Sequence, residues 1–310
     1  MESQTQCAAA VMMIRPAAFD YNSQTAASNR MQAAAVQGTA GAATLAMAEF
    51  DAAVTALRGA GVQVCVVADE PLPPKPDAVF PNNWVSWHAD GTVVLYPMQA
   101  RNRRLERRPD ILESVAERCG YRIGRVLDLS GFEDQGRYLE GTGSLVLDHV
   151  GRQAFACRSS RTDETLVRHW ADRLGYQPVV FDAVDGAGAP FYHTNVMLSI
   201  GCRVVVVAAD SIVPADRERV LAALAAGSRE IIAIDREAVA GFAGNMLEVL
   251  GAGGRRVYAL SARAERSLPP AARARLAAGT DELVPLSIPT IERLGGGSVR
   301  CMLAEVFSPT

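Results

Sequence analysis

The sequence predicts an α/β fold: five pseudo-symmetric strand-strand-helix-strand units arranged as a five-bladed α/β propeller. Three observations carry this expectation. A small polar start, a short apolar run, a glycine or charged turn and usually a second apolar run occur five times, starting near residues 83, 142, 195, 245 and 297. That interval, on the order of 50–60 residues, is typical of repeat architectures. Between the hairpins the apolar residues switch to helical spacing and then back to a β-branched run. No Pro/Ser-rich linker or charge block interrupts the chain, so residues 1–310 read as one domain.

The first hairpin runs from Asn82-Asn83-Trp84-Val85 through Asp90-Gly91 to Thr92–Tyr96, with Asp-Gly as its turn signal. The second pairs Gly141–Leu147 with Ala154–Cys157, and the third pairs Thr194–Ile200 with Val204–Val207. Gly244–Leu250 and Val257–Leu260 make the fourth. The fifth, Gly296–Leu303, has no second strand of its own, and Val11–Ile14 supplies one. Helices are expected at Ala46–Leu57, from the Thr162–Thr165 cap to Leu174, from Pro214 to about Gly227, and from Pro269-Pro270. Strands follow at Val62–Val67, Ile231–Ile234 and Leu283–Ile288. In this arrangement the polar hairpin starts converge on the central channel.

Composition excludes several function classes. A formal net charge of -3 without a basic block argues against nucleic acid or an anionic membrane as partner. The longest strongly apolar run, Val204–Ala209, is far short of a membrane span. The N-terminus lacks the basic start and apolar stretch of a signal peptide, so a cytoplasmic protein is expected. The chain has one lysine, Lys75, in Pro-Pro-Lys-Pro, which rules out a phosphate-loop lysine elsewhere. No Cys-x-x-Cys or His-Glu-x-x-His spacing occurs, so neither a metal nor a cofactor is expected. The six scattered cysteines read as free thiols.

The channel-facing starts hold the candidates for chemistry. Cys301 follows Gly295-Gly296-Gly297-Ser298-Val299-Arg300. The glycine run allows close approach and leaves backbone N–H groups, around Gly297, for an anion. A thiol beside an arginine there suits a nucleophile, although a cysteine taken alone is more often a buried free thiol. His193, Glu140 and Asn83 also begin repeats. Thiol, imidazole and carboxylate at equivalent places in different blades make up the nucleophile, acid/base and orienting group of a thiol hydrolase. His88 and His149 fall at hairpin turns and His169 on a helix face, where structural roles are more common. Gly141-Thr142-Gly143 starts a strand and is no phosphate loop. The run Arg101–Arg108 is too short and mixed in sign for a nucleic-acid patch; it reads as a solvated helix start or a loop for one carboxylate.

Asp77–Asn83, Glu140-Gly141, Ser160–Asp163, His193-Thr194-Asn195 and Gly295–Cys301 occur in an order that resembles the guanidino-group-modifying enzymes. That superfamily comprises arginine deiminases, dimethylarginine hydrolases and amidinotransferases on the five-bladed pentein propeller. Phe-Pro-Asn-Asn-Trp, Asn-Arg-Arg-Leu-Glu-Arg-Arg and Tyr-His-Thr-Asn-Val-Met look most like bacterial citrulline-utilisation hydrolases, often labelled amidinotransferases. The resemblance implies Cys301 as nucleophile, His193 as general acid/base and Glu140 as the group holding His193 or the reacting nitrogen. It implies Arg161 on the substrate α-carboxylate, Asp77 on the α-amino group and Arg104 as a second anion contact.

Two positions depart from relatives that act on arginine. Asn83 stands where a carboxylate usually pairs with a cationic guanidinium, and Asn195 stands where arginine deiminases place a second one that dimethylarginine hydrolases often lack. A carboxamide offers a donor and an acceptor without charge, which matches a neutral ureido group. The expected reaction is therefore hydrolysis of citrulline to ornithine, carbon dioxide and ammonia through a covalent Cys301 intermediate. Arginine deiminase, dimethylarginine hydrolase and amidinotransferase chemistry remain alternatives, as does a non-catalytic propeller that binds an amino acid or a ribosome. A small-molecule amino acid is the expected partner, and homo-oligomerisation is left open.

Overall fold

The computed structural model describes residues 5–33 and 41–307. Residues 1–4, read above for a targeting signal, lie outside the described residues. The strands in chain order are β1 (Ala10–Arg15), β2 (Gln63–Ala68), β3 (Val85–Trp87), β4 (Thr92–Leu95) and β5 (Arg125–Asp128). They continue with β6 (Val146–Asp148), β7 (Gln153–Cys157), β8 (Gln177–Phe181), β9 (Leu198–Ile200), β10 (Val204–Val207) and β11 (Glu230–Ala233). The last are β12 (Leu247–Leu250), β13 (Arg256–Ser261), β14 (Glu282–Leu286) and β15 (Ala304–Val306).

These strands form five three-stranded sheets, among the described residues, with one shared pattern: β3-β4-β5, β6-β7-β8, β9-β10-β11, β12-β13-β14 and β15-β1-β2. In each, the first strand pairs antiparallel with the middle one, which pairs parallel with the third. A tight turn suffices for the antiparallel pair, whereas the parallel pair requires a crossover, which the helices provide. Val11–Met12 lie beside Glu305–Ala304, so the strand expected from the start of the chain does complete the fifth sheet.

The helices close to the expected boundaries are Ala42–Gly59, Glu164–Leu174, Pro214–Ala225 and Pro270–Gly279. Asp163 caps the second by accepting the Leu166 N–H, and Gly175 ends it in the left-handed region at φ 69°. The core lies between sheets and helices: Val220 and Leu224 join β10, while Leu166, Val167 and Trp170 join Ala154 and Ala156 of β7. Val204–Val207 is buried throughout, as an apolar middle strand covered on both faces should be.

The hairpin starts differ from expectation. Pro81–Asn83, Gly141–Ser144, Thr194–Val196 and Val299–Met302 are single helical turns, and the first strands shrink to three or four residues. Gly141 takes φ +47°, and a Cβ there would strike the Asn82 carbonyl. Polar residues satisfy short turns with local backbone bonds such as Trp84 N–H to the Pro81 carbonyl. The turns bring neighbouring sheets together: β15 lies against β3, the Gly141–Ser144 turn against β3, β6 against β9, and β9 against β12. The Leu250 N–H in β12 donates to the Ala8 carbonyl just before β1. No described helix is long and apolar enough to cross a membrane.

Candidate active site

The helical turns and the residues just before them aim polar side chains at a common point. Cys301 sits in the Val299–Met302 turn and is 3% exposed. Its sulfur is 3.6 Å from Asn195 Nδ2 and 3.4 Å from Asn245 Nδ2. Asn245 belongs to the fourth hairpin start, equivalent in its repeat to Asn83 and Asn195. Its place in the repeat was the available signal, yet the sequence reading did not single it out.

His193 Nε2 lies 2.8 Å from Glu140 Oε2. Burial would raise Glu140, but Arg161, His193 and Arg103 outweigh it and hold the carboxyl well below its ordinary range. An ionised carboxylate only accepts, so Nε2 carries the proton and Nδ1 is left as the basic nitrogen. Burial lowers His193 to about 4, against the opposing pull of Glu140, so the ring is neutral near pH 7. Gly143 makes room for this arrangement: a Cβ would lie 2.6 Å from Asn83 Nδ2 and 2.7 Å from His193 Nδ1.

A buried charge lattice flanks the thiol. Arg103 pairs with Glu106 at 2.9 Å and lies 3.6 Å from Asp77 and 3.8 Å from Glu140, while donating to Asn83 Oδ1 at 2.8 Å. Burial raises Glu106 to about 8 despite Arg103, and it raises Asp77 above its ordinary value too. Asp77 Oδ2 accepts from Asn22 Nδ2 at 2.7 Å, but its Oδ1 is buried without a partner. Arg161 is 3.4 Å from Glu140 and stacks over the Tyr192 ring. It also donates to Ser28 Oγ and the Thr25 carbonyl. Asn29 donates to the Gly295 and Gly296 carbonyls, so residues 22–29 lie across the top of the site.

Of the residues expected here, Cys301, His193, Glu140, Asn83, Asn195, Asp77 and Arg161 come together. Arg104 does not. It bonds to the Met98 carbonyl and to Glu133 at 3.3 Å, and its side chain is partly exposed. Its neighbour Arg103 is the inward arginine, because the Arg101–Glu106 turn places residues 103 and 106 on the buried side. That turn also replaces the solvated helix start expected for Arg101–Arg108. The cavity enclosed by Asp77, Asn83, Arg103, Arg161, His193 and Cys301 measures about 10 Å³, the room of one water. A groove of about 610 Å³ beside Arg266 and Arg273 is roomier but lined by no cysteine or histidine.

The family model described as N,N dimethylarginine dimethylhydrolase, eukaryotic, matches residues 15–308. No curated protein matches with significance. Among solved structures, the substrate-bound N-terminal domain of ArgZ, an arginine dihydrolase from the ornithine-ammonia cycle in Cyanobacteria, is 18% identical. The alignment covers 96% of this chain and 98% of that one, with a TM-score of 0.73. AgrE, in complex with L-arginine, is 17% identical with a TM-score of 0.72; 97% of this chain aligns, but only 40% of AgrE. The apo structure of ArgZ likewise aligns over 40% of its length. A dimethylarginine dimethylaminohydrolase adduct with S-methyl-L-thiocitrulline is 16% identical, covers 96% of this chain and 99% of that one, and has a TM-score of 0.65. At these identities the structures establish the shared fold, while the family match spans nearly the whole chain. The chain belongs to the N,N dimethylarginine dimethylhydrolase family and is a hydrolase acting on C–N bonds of a ureido or guanidino amino acid.

Proposed function

We propose that this hydrolase acts on the ureido group of citrulline, with Cys301 as nucleophile, His193 as acid/base and Glu140 as the group that orients His193. The observation that carries this reading is the set of carboxamides around the sulfur. Asn195 and Asn245 both reach Cys301, and Asn83 stands beside His193 across Gly143. None of the three brings a negative charge. A desolvated guanidinium without a carboxylate partner is penalised heavily, whereas a ureido C=O and NH₂ match carboxamide donors and acceptors.

In this reading the sulfur adds to the ureido carbon while Asn Nδ2 groups donate to the developing oxyanion. His193 Nδ1 takes the Cys301 thiol proton as the sulfur adds and returns it to the departing nitrogen, so that the C–NH₂ bond breaks and ammonia leaves. Water then attacks the thiocarbamate, the sulfur departs, and the N-carboxyornithine formed loses carbon dioxide to give ornithine. Arg161 takes the α-carboxylate, and the unpartnered Asp77 Oδ1 takes the α-ammonium. A one-water cavity cannot hold an amino acid, so residues 22–29 move off Arg161 when substrate enters. We further propose that the sheet contacts close into a single five-bladed domain over 1–310, with the site at one end of its channel.

A second reading, hydrolysis of arginine or a methylated arginine, is favoured by the family description. Incubation with citrulline, arginine and dimethylarginine in turn, with ornithine, citrulline and ammonia measured, separates the two. Citrulline turnover supports the proposal. Conversion of arginine to citrulline, with citrulline itself untouched, overturns it. In the double variant Asn83→Asp with Asn195→Asp, citrulline activity should be lost, and unchanged citrulline kinetics would contradict the carboxamide argument.

A further inference from the structure

Three side chains far apart in sequence meet beyond the other end of β9 from Asn195. Cys7, in the arm before β1, has its sulfur 2.9 Å from that of Cys202, in the β9–β10 turn. Glu248 of β12 completes the group: its Oε2 accepts the Cys202 N–H at 2.6 Å and the Cys7 thiol at 3.4 Å. One ligand atom from each residue lies within 4.8 Å of the others. Gly201 keeps the space open, since a Cβ there would lie 2.8 Å from Glu248 Oε2.

The cluster is unbalanced as it stands. Glu248 is 1% exposed and its Oε1 is buried with no partner. Arg256, the arginine whose charge it feels, is committed to Asp281. Forming a Cys7–Cys202 disulfide would make matters worse, because it removes the Cys7 S–H and leaves Glu248 with the Cys202 N–H as its donor. A divalent cation, by contrast, satisfies both sulfurs and the carboxylate together. Two thiolates and a carboxylate are a zinc-type donor set, and a tetrahedral site tolerates water as the fourth ligand. Half-buried Cys202 is positioned to admit it. The sulfurs would have to open from 2.9 Å to about 3.8 Å, a spacing set by Zn–S bonds near 2.3 Å, and the movement falls on a surface turn.

We propose that Cys7, Cys202 and Glu248 form a binding site for a thiophilic divalent cation of the Zn²⁺ type, pinning the N-terminal arm to the β9–β10 turn and to β12. Binding displaces two thiol protons, so affinity rises with pH.

The test is titration of the reduced full chain with Co²⁺, followed by the thiolate-to-cobalt charge-transfer absorption. The expected result is one Co²⁺ per chain, displaced by Zn²⁺, binding more tightly as pH rises from about 6 to 8. Cys202→Ser should abolish the band, Glu248→Gln should weaken binding by about tenfold or more, and Cys301→Ser should leave it unchanged. Cys202 sits at a half-buried turn, so its variant tests the site even if Cys7→Ser fails to fold. Lack of the band, or a band lost in Cys301→Ser and kept in Cys202→Ser, overturns the proposal. So does recovery of a Cys7–Cys202 disulfide peptide from protein that takes up no cobalt after reduction.

Discussion

At the scale of single residues, the site is a contest between burial and charge. His193 is held neutral by burial while its hydrogen bond to Glu140 fixes the tautomer. Replacing Glu140 with Gln removes both the anion and the tautomer control; kcat should fall by about 10²–10⁴-fold, the range for losing positioned acid/base catalysis, in a steady-state assay. Cys301→Ala should lose on the order of 10⁴-fold or more, leaving binding intact by isothermal titration. Asp77→Asn should instead act mainly on KM. The loss of a charge-assisted bond to the α-ammonium corresponds to about 1.5–3 kcal/mol, or roughly 10–100-fold. Gly143→Ala has no room at all, and folded but inactive protein is the expected outcome, checked by circular dichroism and turnover. Cys301, His193, Glu140 and Asn83 were legible in the sequence because they occupy equivalent places in repeats, whereas Asp77, Arg161 and Asn195 came from the family resemblance. The sequence reading chose Arg104 over Arg103 because nothing in a run of adjacent arginines tells which one a short turn will face inward. The meeting of Cys7 with Cys202 is equally invisible in a chain where they are 195 positions apart.

At the scale of elements, what was legible followed from periodicity. Helices of ten residues or more and middle strands such as Val204–Val207 declare themselves through spacing, caps and β-branching. The single helical turns at the hairpin starts did not, since three or four residues hold less than one or little more than one helical period. In the proposed reaction those turns, with the residues just before them, carry the chemistry, so the least legible elements are the ones the proposal depends on. The Glu164–Leu174 helix offers a test of element stability. Asp163→Ala removes its cap and should lower unfolding stability by about 1 kcal/mol in urea titration.

For the whole molecule, five repeated sheets place three buried histidines in one fold, and burial lowers all three: His88 and His193 to about 4 and His149 to about 3. The unfolded chain, with ordinary histidines, takes up protons below about pH 6.5 that the native chain refuses. Their contribution is therefore fully present above that pH and is lost as pH falls toward 4, at about 1.4 kcal/mol per pH unit for each histidine between the two values. Glu106, Asp77 and Glu305, raised by burial, work in the opposite direction. His149→Asn should reduce the slope of stability between about pH 6 and 5 by about 1 kcal/mol per unit, measured by urea unfolding at each pH.

The claim that joins these scales is that three uncharged carboxamides select a ureido group for Cys301. Product stoichiometry in an equal mixture of citrulline and arginine tests it most directly. The account predicts that citrulline is consumed, one ammonia appears per ornithine, and arginine is undiminished. Consumption of arginine, with citrulline accumulating or with two ammonias released per ornithine, would contradict it.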